Sequence, residues 1–499
     1  MRILSLARDY PKAHSFASTH EVIHASLNPP DQSEVISSIV LPSGRFSIQR
    51  VLEQLPSGWQ PDCIQISSSL GVFTRDPVIP TELKTINCPT VMKLTDSHFR
   101  HRPIQSLIEY ALSVSCQYHW TTYDRHHLHF FREAGLPNVF WLPGSSSIQT
   151  YQPQAVLEKT YDVLFCGTNS PELHPRRAKL LNALQSAGVN VTITRKSYTE
   201  TLETYPTAHI VFNCSLNGDL NRRVFETLMA GGFLITDRLA PESGLYQLFQ
   251  EGVHLECYAS EQELLEKIQY YIAHPDQAVR IAQQGHEHFM QHYHPSLIEE
   301  QFLDIVVDGH PIPEQFAAKD DDRTHKLIQS YKSEALRDRI RIYELIHDLH
   351  RCNDSLTLLD YGEHSDLLSD LRDLPRLQMV QKPEKAAIVL LDCPKTKQQL
   401  ETALNQLQAQ LQPGGIILLL GQIAKKFDTT IRAWGWKPIH LKESGEGACL
   451  VYQYSSIVDA EQSQLQLPIN QPLNLSTRLV LGAKTTAKRV LSTLALSVR

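Results

Sequence analysis

The sequence predicts an α/β protein built from consecutive doubly wound domains, and three stretches predict it. Val211–Asp237, VFNCSLNGDLNRRVFETLMAGGFLITD, reads as strand, polar turn, helix, glycine turn and strand. Strands alternate with helical segments over roughly the first 150 residues, the pattern of a parallel sheet covered by helices. The same alternation restarts at Leu356 and runs to Leu420. At 499 residues the chain has room for about three domains of roughly 150 residues each.

Taken in order, Met1–Ala7 is a first strand, Val35–Leu41 and Cys63–Ser67 are further strands, and Phe46–Leu55 is a helix between them. Thr90–Thr95 is a strand that ends in the polar residues Asp96, Ser97 and His98. Ile104–Ser113 is helical, Cys116–Thr122 a strand, His126–Ala134 a helix closed by Gly135, and Asn138–Leu142 a short strand. These make a first Rossmann-like lobe over residues 1–152. A linker, Tyr151–Lys159, leads into a second lobe, residues 153–316, with a cleft and hinge expected near residue 152. Tyr161–Gly167 is a buried strand turning at Gly167 and Thr168. Arg176–Ala187 (helix), Val189–Thr194 and Ala208–Phe212 (strands), and the helices Glu261–Ala273 and Asp276–Tyr293 complete it.

Within Val211–Asp237, Val224, Leu228 and Phe225 face inward from the helix, and Gly231-Gly232 stop it in a conformation that glycine tolerates. Folds of this kind bind ligands at the carboxyl ends of their strands. The loop sets Asn217, Asn221 and Arg222 at the helix N-terminus, where free N–H groups and the helix dipole favour a phosphate. Glu226 lies one turn along, within reach of a sugar hydroxyl.

The run Asn221, Arg223, Phe225, Glu226, Gly231 and Gly232 resembles the glycosyltransferase group 1 superfamily, and within it the spore-maturation, CgeB-like branch. The resemblance covers residues 90–305 and is best over 205–290. It implies the two-lobed GT-B fold, a nucleotide-diphosphate sugar as donor, hexosyl transfer, and a ribose held by Glu226. The retaining enzymes of the superfamily carry a second glutamate eight residues earlier, where this chain has Gly218.

Residues 353–456 resemble a class I methyltransferase in LLDYG (Leu358–Gly362), AAIVLLDCP (Ala386–Pro394) and LQPGGIILLL (Leu411–Leu420). That family's cofactor loop uses several glycines to bring backbone close to S-adenosylmethionine. Glu363, His364, Ser365 and Asp366 stand there instead, so an inactive methyltransferase-like domain that does not bind S-adenosylmethionine is expected.

Transfer in such a fold needs a clamp for the diphosphate, a pocket for base and ribose, and a base for the acceptor hydroxyl. Arg222 and Arg223 are the clamp candidates, supported by Arg195 and Lys196; one arginine of such a pair often only bridges a nearby carboxylate. Gly167, Thr168, Asn213, Asn217 and Asn221 complete the donor side, although asparagines also cap and turn loops. Asp96 with His98 is the candidate proton acceptor; His14 and His20 are weaker ones. His126, His127 and His129 have ligand-like spacing, but 126 and 127 diverge on a helix, so no metal site is expected.

Hydrophobic content of 42% and charge of 20% describe an ordinary globular protein, and a net charge of −7 argues against general nucleic-acid binding. Nine cysteines without a C-x-x-C pair suit free thiols in a reducing compartment. No signal-peptide pattern opens the chain and no apolar run reaches the length of a membrane span, so a cytoplasmic protein is expected. Asp320-Asp321-Asp322 caps a connector helix over 320–352. Its stripe of Leu336, Ile340, Tyr343 and Ile346 suits a solvated connector or a homodimer helix equally. Residues 457–499 form a linker and tail; within it 478–499 is a basic amphipathic segment that could rest on its own protein or on the inner face of a membrane. The overall expectation is a glycosyltransferase acting on a glycan, protein or lipid acceptor with no cofactor required. Its rivals are a non-catalytic GT-B-like scaffold in a polysaccharide or glycoprotein assembly complex and a bifunctional enzyme that also methylates.

Overall fold

Buried, β-branched and leucine-rich segments at the strand positions, with amphipathic helices between them, produce parallel sheets covered on both faces. The computed structural model describes residues 1–9, 20–28, 38–72, 74, 76–98, 103–151, 158–317, 334–362, 364–372, 374–381, 385–392, 394, 396–420, 431–432, 436–438 and 449–454. The expectations for His14, the cap at Asp320–Asp322, Glu363 and the basic tail 478–499 lie outside these residues. The chain forms two compact units, residues 1–356 with 363–378, and residues 357–362 with 379–499.

The first unit holds two parallel sheets. Seven strands make the first: β1 (Arg2–Asp9), β2 (Glu21–Asn28), β3 (Ser38–Val40), β4 (Cys63–Ser67), β5 (Thr90–Lys93), β6 (Tyr118–Thr121) and β7 (Val139–Trp141). Their order is β3-β2-β1-β4-β5-β6-β7, the doubly wound arrangement with its crossover beside β1. Ile3, Leu4, Leu6, Ile64, Ile66 and Val91 are buried in it. The strand β2 is an addition to the sequence reading: it pairs in parallel with β1, and its inward positions include the polar His24 and Ser26. The expected helix over 46–55 divides into a strand, Arg45–Ser47, paired with Ile79–Thr81, and a helical turn at Gln49–Leu52. Phe46 is buried from that strand, whereas Val51 is buried from the helical turn.

The second sheet has five strands: β8 (Tyr161–Cys166), β9 (Val191–Thr194), β10 (Ala208–Phe212), β11 (Leu234–Asp237) and β12 (Glu256–Tyr258). Their order β9-β8-β10-β11-β12 is the second common doubly wound arrangement. Val163, Phe165, Ile210, Phe212 and Ile235 meet Leu180, Leu181 and Leu184 of α3 (Pro175–Ser186) and Ile268 of α5 (Glu261–Ala273) in one core. The earlier helices are α1 (Pro103–Val114) and α2 (Leu128–Glu133). Arg222–Met229 is α4; it starts from extended backbone at Asn221 and ends against Gly231 at φ +76°, a left-handed stop. Two further helices follow, α6 (Pro275–His292) and α7 (Pro295–Val306).

Glu334–Cys352 is α8, and it is neither a solvated connector nor a free dimer helix. Leu336, Ile340, Tyr343 and Ile346 are buried within the first unit, as are Ile342 and Leu349. The apolar face is wider than the four-residue stripe suggests, and the chain itself covers it.

The second unit is a mixed sheet. In it β13 (Leu356–Asp360), β14 (Ala386–Asp392) and β15 (Leu411–Leu420) run parallel, whereas β16 (Trp436–Pro438) and β17 (Cys449–Tyr454) form an antiparallel edge beside β15. Val389, Ile417, Leu419 and Tyr452 pack with Leu400, Leu404 and Leu407 of α9 (Lys397–Gln408). Among the described residues no helix is long and apolar enough to cross a membrane.

One close approach can be tested directly. A Cβ at Gly285 of α6 would overlap the backbone carbonyl of His254 and crowd Leu228 of α4. Gly285→Ala should therefore cost about 1–3 kcal/mol in a denaturant titration, as overpacking does. An unchanged midpoint would mean that α6 does not sit this tightly on the second lobe.

Candidate functional site

The parallel sheets of the first unit turn their carboxyl ends toward a cavity of about 430 Å³. The first lobe contributes Asp96 and His98, which follow β5. The second lobe contributes Thr168 after β8, Leu216, Asp219 and Asn221 after β10, and Arg222, Arg223 and Glu226 from α4. Leu173, His174 and Arg177, at the start of α3, close the same wall.

On the second-lobe wall the arginines have different employments. Arg223 donates to the Cys166 carbonyl (2.6 and 3.2 Å) and to Asn213 Oδ1 (2.6 Å), and lies over the Phe165 ring at 4.5 Å. Gly167, at φ +150°, allows this: a Cβ there would run into the Arg223 guanidinium. Arg222 donates twice to Glu226 Oε1, at 2.7 and 3.0 Å, an i,i+4 pair on α4. It also stacks over Tyr198 at 5.3 Å. Arg177 holds the Cys214 carbonyl (2.7 Å) and the Thr168 carbonyl (3.1 Å). Its pKa is lowered, first by burial and then by the Arg223 charge beside it, so two guanidinium groups are crowded where an anion would relieve them.

The asparagines divide. Asn221 lines the cavity, and its Oδ1 is buried without a hydrogen-bond partner. Asn213 does not line it: the side chain is spent on Thr236 (2.9 Å), Arg223 and Asn221, inside the lobe. Asn217 is turned away as well, toward α8. Its amide donates to His347 Nδ1 (2.9 Å) and the His347 carbonyl (2.8 Å), and its Oδ1 accepts from His350 (3.0 Å). Arg195 is exposed after β9 and is not among the residues lining the cavity. For the two asparagines the physical reason is the same: a polar side chain in a turn satisfies buried backbone and neighbours before it serves a ligand.

Facing this wall, His98 lies between carboxylates. Its Nδ1 donates to Asp124, at 2.9 Å to Oδ1 and 3.0 Å to Oδ2, and its Nε2 stands 3.8 Å from Asp219 Oδ2. Asp124 is fully buried and also accepts from the Ser97 backbone N–H (2.8 Å). Burial works against the imidazolium, but Asp124, Asp219 and Asp96 overcome it and raise the His98 pKa to about 10. Burial likewise opposes the Asp124 carboxylate, which His98 nonetheless holds well below the usual range. With Nδ1 bonded to Asp124 and Asp219 beyond Nε2, the surroundings of His98 favour its protonated form, a hydrogen-bond donor. Asp96 is shifted the other way: its enclosure in the cleft raises it, His98 counters this, and Asp124 and Asp219 raise it further.

Sequence reasoning missed Asp124, Asp219, Arg177 and His174. Asp219 had a signal, since an Asp three residues after Leu216 can accept from that turn's N–H groups, and its Oδ1 does so at 2.7 and 3.1 Å. His174 stays neutral, its pKa lowered to about 3 by burial and then by Arg177 and Arg223. His126 and His127 do not diverge: they occupy a 3-10 turn with rings 3.9 Å apart and gather with His347, ligand atoms within 4.8 Å. However, His127 bridges Ser97 Oγ (2.8 Å) and the Tyr343 hydroxyl (3.1 Å), and both His347 nitrogens are bonded to Asn217. Two of the three rings are thus engaged by protein partners, and His126 Nδ1 is buried without one.

The charge on His98 has a measurable consequence. An unfolded histidine titrates near 6.5 and this one at about 10, so the folded state holds an extra proton between those values. The contribution is complete below pH 6.5 and disappears as pH rises through about 10. The stability difference between wild type and His98→Gln should therefore narrow steadily from neutral pH to pH 10 in urea titrations. A difference that is flat over this range would mean that His98 is not held as a cation.

A family model described as Glycosyl transferase-like matches residues 176–304. No curated protein matches the chain in sequence. Among solved structures, Anabaena HepE in complex with UDP aligns at 12% identity and TM-score 0.41, over 61% of this chain and 99% of its own. WaaG, a glycosyltransferase involved in lipopolysaccharide biosynthesis, aligns at 12% identity and TM-score 0.42 over 61% and 99%. Sucrose-phosphate synthase from Thermosynechococcus elongatus aligns at 11% identity and TM-score 0.41 over 61% and 98%. The fold of the first unit, two Rossmann-like lobes with a cleft at their strand ends, is of the GT-B type.

Proposed function

We propose that this protein is a glycosyltransferase that moves a sugar from a nucleoside diphosphate sugar to a hydroxyl-bearing glycan, protein or lipid acceptor. The observation that carries the reading is the meeting, in one cavity, of two kinds of group. Arg177, Arg222 and Arg223 gather at the N-terminus of α4, and the charged His98 array faces them from the other lobe. The family match over 176–304 supports it, since it covers α3, β10 and α4, which build the donor wall.

In this reading the diphosphate lies against the α4 N-terminus, where backbone N–H groups, Arg223 and Arg177 compensate its charge. Glu226 gives Oε1 to Arg222, which leaves Oε2 for a ribose hydroxyl. As the bond from the anomeric carbon to phosphate oxygen breaks, charge grows on the leaving group and the acceptor oxygen bonds to that carbon. The acceptor's proton passes to a carboxylate; Asp96, with its raised pKa and place beside His98, suits that role. His98 presents an N–H to a sugar or acceptor hydroxyl. Residues 353–456 are read as an accessory methyltransferase-like domain; three parallel strands beside an antiparallel edge support this.

Two observations favour the rival, a non-catalytic scaffold. Arg222 is already paired with Glu226, and Gly218 stands where a second glutamate would. A thermal-shift series with UDP, GDP, ADP, dTDP and S-adenosylmethionine on wild type and Glu226→Ala separates the two. A nucleotide at about 100 times its dissociation constant stabilises the fold by about 2.7 kcal/mol. One diphosphate should stabilise wild type, with most of the effect gone in Glu226→Ala. No response to any nucleotide would sink the transferase and leave the scaffold.

A further inference from the structure

Nothing in the family match, which ends at residue 304, accounts for α8. This 19-residue helix spans about 28 Å and carries bonds to both lobes. Toward its start it is fixed to the first lobe. Glu344 Oε1 accepts the N–H groups of Ile104 (2.8 Å) and Gln105 (3.1 Å), capping α1 from a distant part of the chain. Arg339 pairs with Glu133 and, at 2.9 Å, with Asp370. Toward its end α8 is fixed to the second lobe through His347 and His350 on Asn217 and through Arg351 on the Leu173 carbonyl (3.3 Å).

Two lines of hydrogen bonds leave adjacent turns of α8 and finish on either side of His98. From Tyr343 the line runs to His127, to Ser97 and to Asp124, which orients His98. From His347 it runs to Asn217, in the turn that Asp219 organises by accepting from Leu216 and Asn217. Every intermediate side chain is buried, so the lines are short of water that could replace a lost partner.

We propose that α8 is a strap that positions the cleft: Tyr343 and His347, one turn apart, hold the first-lobe and second-lobe halves of the Asp124–His98–Asp219 array in register. They are positioning residues, since neither lines the cavity. The consequence for ligand binding rests on the transferase reading; the consequence for the loop does not. Because the strap ties both lobes, it restrains their relative movement, and the array is assembled before a ligand arrives.

The test uses the full chain as wild type, His347→Leu and Tyr343→Phe, with hydrogen exchange of residues 97–98, 124–127 and 213–221 and UDP titration as readouts. His347→Leu should raise exchange at Leu216 and Asn217 by about tenfold or more and weaken UDP by about tenfold, as loss of buried bonds does. Tyr343→Phe, which keeps the ring, should loosen 97–98 and 124–127 and spare 213–221. Unchanged exchange in a folded His347→Leu, with UDP affinity within about twofold of wild type, would overturn the strap. Should His347→Leu fail to fold, the Tyr343→Phe pattern decides: uniform loosening, or none, rejects the two-line arrangement. If wild type ignores UDP, the transferase reading fails while the exchange result still judges the strap.

Discussion

A carboxylate with no access to solvent must find a counter-charge, and Asp124 is such a group. His98 supplies the charge, and much of the cleft follows from that pairing. The bond from Asp124 fixes the imidazole ring and keeps its proton, which directs Nε2 toward Asp219 of the other lobe. One buried ion pair therefore sets the orientation of a side chain that the two lobes share.

The second lobe answers with a loop whose polar groups are almost all occupied. Asn213 ties β10 to Arg223 and Thr236, Asn217 ties the turn to α8, and Asp219 closes the turn on its own N–H groups. Such full satisfaction is costly to disturb and makes the loop rigid. Among the described residues of the second-lobe wall, Asn221 Oδ1 has no hydrogen-bond partner and Glu226 Oε2 is not used by Arg222, both beside the positive N-terminus of α4. A site that spends most of its polar groups on architecture has few left to specify a ligand, and those few are accurately placed.

Close packing enforces the same economy at the backbone. Gly167 lets Arg223 lie on the end of β8, and Gly144 of the first lobe leaves room for the Phe225 ring of α4. The second contact brings an apolar side chain of α4 against the turn after β7. Position and chemistry are thus coupled through α4: its inner face sets the lobe contact while its first turn faces the cavity.

The alternation of strands and helices, the run of α4 and the carboxyl-end placement of Asp96, His98, Thr168 and Glu226 were legible in the sequence, because each depends on neighbours a few residues apart. The strand β2 was not, since His24 and Ser26 interrupt an apolar pattern that burial beside β1 overrides. Asn213, Asn217 and Asn221 look alike in a loop; only the folded chain decides that the first points into the lobe, the second to α8 and the third to the cavity. Asp124 acquires meaning from His98, 26 residues earlier, and α8 from two lobes whose nearest bonded residue, Asn217, is 130 residues away from His347. The sequence by itself determined which segments form secondary structure and where their polar ends lie, because those are local preferences. Tertiary structure decided which polar groups are spent and which are charged, because desolvation and pairing depend on what the fold brings within a few ångströms.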